Sequence, residues 1–73
     1  MNIKINTEYI KLDQLLKFSG VAYSGAEAKD MILAGCVKID GEICQMRGKK
    51  MYPGDVAIID FGDGEEIISL KVE

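Results

Sequence analysis

Hydrophobic residues change their spacing several times along this chain, and each change marks an element. Between Asn2 and Ile10 the residues Ile3, Ile5 and Tyr9 stand at mainly alternating positions, the spacing of a short edge strand or an extended arm. From Leu12 the period becomes helical. Leu12, Leu15, Leu16 and Ser19 follow an i, i+3, i+4, i+7 stripe, Asp13 can pair with Lys17 one turn on, and Gly20 supplies a stop. The pattern predicts a short helix over residues 12–19. A second helix opens at Ser24-Gly25-Ala26-Glu27, the serine-to-glutamate spacing of a capping box. Ala28, Met31, Ile32 and Gly35 share one of its faces, so it spans residues 25–34, with Val21-Ala22-Tyr23 as a tight connector.

The remainder is β-prone. Asp40-Gly41 lies between Val37-Lys38-Ile39 and Glu42-Ile43-Cys44, the strongest short hairpin signal. A two-residue turn there pairs Ile39 with Glu42 and Val37 with Cys44. Cys36 then faces Gln45, or Met46 if a bulge intervenes. Neither register joins the two cysteines, which read as small buried or half-buried thiols. Gln45 to Met51 is a loop containing Arg47-Gly48-Lys49-Lys50, and Tyr52-Pro53-Gly54-Asp55 is a turn. Val56 to Phe61 is apolar throughout except at Asp60, which predicts a strand buried on both faces. Gly62-Asp63-Gly64 turns the chain into a last strand over Ile67 to Val72. No repeat, linker or low-complexity segment interrupts this order.

Composition narrows the possible chemistry. A chain of 73 residues makes one domain, residues 1–73, with a radius of gyration of about 11 Å and a small core. At 48% hydrophobic and 29% charged residues it is globular in type. No apolar run approaches a membrane span or a signal peptide, so the expected location is cytoplasmic, with no membrane partner. Histidine is absent, which removes the commonest base and metal ligand, and two cysteines cannot make a disulfide framework or a metal site. No nucleophile has an activating partner, so no enzyme and no cofactor is expected. The acids Asp60, Asp63, Glu65 and Glu66 lack calcium-loop spacing and suit a solvated hairpin. Gly41 and Gly48 do not match a phosphate loop, and Gly62-x-Gly64 does not match a dinucleotide fingerprint.

Net charge is −3, yet it is unevenly spread. Residues 1–54 hold eight of the nine basic residues and six acids, a balance of +2; residues 55–73 hold six acids and Lys71, a balance of −5. Arg47, Lys49 and Lys50 form a basic loop, with Lys38 on the neighbouring hairpin. This is either an ordinary solvated loop or a clamp for a phosphate backbone. The start of the second helix adds a further anion-friendly element: the amides near Ser24 and Gly25, with Lys29 one turn on. Of Tyr9, Phe18, Tyr23, Tyr52 and Phe61, several are expected in the core, which leaves little aromatic surface for base stacking.

Taken in order, these pieces resemble the S4-type RNA-binding domain over about residues 11–55. The family pattern is met by Lys11-Leu12-Asp13 at the first helix, then by Ser24, Ala28 and Gly35 along the second. Val37-Lys38-Ile39-Asp40-Gly41 matches the hairpin, Arg47 to Lys50 the basic loop, and Pro53-Gly54-Asp55 the turn before a strand. The size and the Ser-Gly-x-x-Ala-Lys helix start are most similar to small stand-alone bacterial members. Many members carry arginine after the capping serine and more basic residues along that helix; here Gly25 and Asp30 stand there, which weakens the positive field.

The resemblance implies an α+β fold, two short helices packed on a small, twisted, mainly antiparallel sheet, an αL-type motif. It also implies a non-catalytic, ribosome-associated module binding structured RNA, rRNA or tRNA, by backbone and shape. Lys38, Arg47, Lys49 and Lys50 would neutralise phosphates. Ser24 and Gly25 would present the helix terminus, Lys11 and Lys29 would flank it, and Asp13 and Asp40 would shape the surface. The rival expectation is a protein-interaction module that offers an edge strand or the acidic 60–66 hairpin to a basic protein partner.

Overall fold

A computed structural model describes residues 1–62, 64 and 66–73. Two helices lie on one face of a five-stranded sheet, and a two-stranded ribbon closes one side. The elements are β1 (Asn2–Ile3), β2 (Ile10–Lys11), α1 (Leu12–Phe18), α2 (Gly25–Leu33), β3 (Val37–Ile39), β4 (Glu42–Ile43), β5 (Lys50–Met51), β6 (Val56–Asp60) and β7 (Ile67–Val72). The sheet order is β1-β7-β6-β3-β4, antiparallel except where β1 runs parallel to β7. The ribbon is the antiparallel pair β2–β5. The Cα radius of gyration is 10.9 Å.

Both helices follow their apolar stripes. Leu12, Leu15 and Leu16 of α1 and Ala28 and Ile32 of α2 are fully buried. Each helix ends at a glycine with positive φ. After α2, the Gly35 amide donates to Ile32 O and the Cys36 amide to Met31 O, a Schellman closure that leaves few carbonyls orphaned. The hairpin has the expected register, with Ile39 opposite Glu42 and the Cys44 amide donating to Val37 O at 2.8 Å. Asp40 at φ 55 and Gly41 at φ 81 supply the left-handed pair that the turn requires.

Four expectations are corrected. The first segment is two short strands rather than one: β1 zips onto β7, whereas β2 pairs with the end of the basic loop. That loop was expected to lack strand structure, yet its last residues form β5. Next, β6 is not buried on both faces. Ala57 and Ile59 are buried, while Val56, Ile58 and Asp60 are half-buried. The two helices cover only one side of the sheet, and apolar residues at the outer positions concealed the alternation. Finally, none of the five aromatic residues joins the core, which is built of Leu, Ile, Val, Ala and Met. The expected turn at Gly62-Asp63-Gly64 falls partly outside the described residues, as does the acidic hairpin through Asp63 and Glu65.

The split between faces sets the mutational costs. Ile59→Ala, which leaves a cavity against the helices, is expected to lose about 2–5 kcal/mol in urea unfolding. Ile67→Ala, at a side chain 61% exposed on the open face, is expected to lose under about 1 kcal/mol.

Candidate nucleic-acid interface

The basic loop is fastened to the first helix through its backbone. Lys11 occupies the N-cap of α1 but its side chain caps nothing. The orphan amides of the first turn are met from elsewhere: Leu12 N donates to Lys49 O at 2.9 Å and Asp13 N to Arg47 O at 3.0 Å. The Lys49 amide in turn donates to Met46 O, closing a tight turn around Gly48. Carbonyls of the loop therefore face the helix, and its side chains are exposed. Lys11, Asp13, Arg47, Lys49 and Lys50 meet at this corner. Asp13 Oδ1 accepts from Gln14 N at 2.8 Å, an acid in the first turn that suits the helix dipole.

The β2–β5 ribbon extends the corner. Ile10 and Met51 pair toward the core, and Lys11 and Lys50 pair on the outward face. On that face the rings of Tyr9 and Tyr52 meet with centroids 5.7 Å apart, and Lys50 Nζ lies 5.0 Å from the Tyr9 centroid. The two tyrosines were missed as surface residues. Their alternation with Lys11 and Lys50, in Tyr9-x-Lys11 and Lys50-x-Tyr52, was the available signal once those segments are strands.

The start of α2 forms a second locus. Ser24 Oγ accepts from Glu27 N at 3.2 Å, the serine half of the capping box, while Glu27 Oε1 accepts from Tyr23 N at 3.3 Å, one residue before the cap rather than at the cap itself. Gly25 and Lys29 stand on this first turn and a half. A Cβ on Gly25 would meet open space, so no internal contact requires glycine there. The Glu27 carboxylate sits at the same helix end and offsets part of the dipole's positive field.

The hairpin contributes unevenly. Asp40 at its tip borders a shallow groove that also involves Ile39, Glu42, Gln45 and Lys49, so the basic loop and the hairpin tip share one edge. Gln45, another residue missed by the sequence, anchors the loop by donating from Nε2 to Leu33 O at 2.9 Å. Lys38 pairs in register with Ile43 and Ile58, on the sheet face away from the helices.

A family model for the S4 domain matches residues 3–68. The match reaches well outside the 11–55 stretch that carries the motifs, into the strands that form the sheet's β1 edge. One similar protein is the "Probable ribosome maturation protein RlbA" of Bacillus subtilis (strain 168), 41% identical over 58 residues, covering 80% of this chain and 82% of that protein.

Ser24→Ala removes the side-chain acceptor that caps the Glu27 amide and is expected to lower stability by about 1 kcal/mol. Urea denaturation followed by circular dichroism would measure it.

Proposed function

This chain belongs to the S4 domain family, and we propose that it is a non-catalytic, cytoplasmic RNA-binding module that grips the phosphate backbone of structured RNA. The similarity to a protein named for ribosome maturation favours ribosomal RNA over transfer RNA as its target. The reading is carried by the corner at the start of α1. There two backbone hydrogen bonds hold the Arg47–Lys50 loop against the helix and leave its cations, with Lys11, turned to solvent.

In this reading Arg47, Lys49 and Lys50 neutralise phosphates, with Lys11 beside them. Ser24 and Gly25 present the α2 terminus to a further phosphate, flanked by Lys29. Asp13 and Asp40 act on shape, Asp13 at the first turn of α1 and Asp40 at the hairpin tip. Lys38 serves RNA that reaches round to the open sheet face. Backbone grip of this kind reads the form of a duplex rather than its bases.

With about four phosphate contacts, the logarithm of affinity for a structured RNA should fall with the logarithm of salt concentration at a slope of about −3. Lys49→Glu with Lys50→Glu should abolish binding in a fluorescence-anisotropy titration, and Glu65→Lys with Glu66→Lys should not. The reverse pattern, with capture of a basic protein by the acidic segment, would replace RNA by a protein partner. Gly25→Arg adds a cation where a side chain has room. It should tighten binding and steepen the salt slope by about 0.7–0.9. An unchanged slope would remove the α2 terminus from the interface.

A further inference from the structure

We infer that the outward face of the β2–β5 ribbon is a seat for one unpaired nucleotide of the bound RNA, its base against Tyr52 and its phosphate between Lys11 and Lys50. The inference rests on the RNA reading above and adds to it a ligand feature, an extrahelical base, that backbone grip does not need.

Four side chains carry it. Lys11 and Lys50 stand directly opposite each other across an antiparallel pair. Like charges so placed destabilise a ribbon, and an anion between them removes the repulsion. The Tyr9 ring already answers one of the two, with Lys50 Nζ 5.0 Å from its centroid. Tyr9 is half-buried and held against Tyr52 at 5.7 Å and an interplanar angle of 49°. Tyr52 is 42% exposed. Its backbone is also fixed: Tyr52 N donates to Asp55 Oδ2 at 2.8 Å, and Tyr52 O accepts from Asp55 N at 2.9 Å. A rigid aromatic ring, open to solvent beside two cations, is the arrangement on which an unstacked base gains most. Every base has a π-face, so such a seat is tolerant of sequence. A fully paired A-form stem keeps its bases stacked inside and offers this ribbon only phosphates.

The test compares two short RNA hairpins that differ by a single bulged nucleotide in the stem, titrated at low salt with the full chain. The bulged hairpin is expected to bind more tightly. Tyr52→Ala is expected to weaken it about 5- to 100-fold while leaving the paired hairpin unchanged, and Tyr52→Phe to keep the preference. The unmodified protein gives an independent readout, since it has three tyrosines and no tryptophan. Ring proton resonances of Tyr9 and Tyr52 should shift upfield with the bulged hairpin only. Tyr23, 94% exposed beside the Ser24–Gly25 terminus, is expected to respond alike to the two hairpins. Equal binding of the two hairpins, with no ring shifts and no effect of Tyr52→Ala, would overturn the nucleotide seat and leave backbone binding standing. Failure of both hairpins to bind would overturn the RNA reading and the seat together.

Discussion

Two short helices can cover one side of a five-stranded sheet and nothing further, and that shortage of covering material governs the rest of this protein. The buried side is filled by aliphatic residues and Met51, with Leu12, Leu15 and Leu16 of α1 and Ile32 of α2 meeting Val37, Ile59, Leu70 and Val72 of the sheet. Aromatic rings, the largest apolar side chains in the chain, are left at the surface. The opposite sheet face carries a mixture of Asn2, Lys38, Ile58, Ile67, Ser69 and Lys71, polar enough to stand in water. A surface assembled in this way has cations and rings side by side, the combination that nucleic acid rewards.

In the proposed reading, the same economy joins stability to binding at the start of α1. A helix of seven residues is too short to persist by propensity. Its N-cap lysine offers no side-chain acceptor, so the carbonyls of Arg47 and Lys49 take that role. The segment that holds the cations is thus also the cap of the helix. Charge can be exchanged there without disturbing the cap, because the bonds run through backbone atoms.

Much of this was legible beforehand, for identifiable reasons. Both helices announced themselves through leucine and alanine stripes with glycine stops, and Asp40-Gly41 set the hairpin register through its left-handed turn. The basic loop was visible as a run of charge. What escaped notice depended on partners distant in sequence. β1 pairs with residues about seventy positions away, and β2 and β5 are two residues each, too short to show a period. Missing that ribbon concealed the pairing of Lys11 with Lys50 and of Tyr9 with Tyr52. The apolar run Val56–Ile59 of β6 suggested burial on both sides, because Val56 and Ile58 occupy positions that a polar residue could equally fill, as Asp60 does.

The zipper of β1 on β7 bears on how the molecule is made. The Met1 ammonium donates to Ser69 O at 2.8 Å, the Ile5 amide to Glu73 O, and the Glu73 amide to Ile3 O. These bonds close a loop spanning nearly the whole chain, and such closures are slow to form. During synthesis both helices and the hairpin are complete before β7 exists. Until β7 arrives, β6 lacks its longest partner and β1 has no strand to join. β1, translated ahead of the other elements of the sheet, is therefore among the last to find its place.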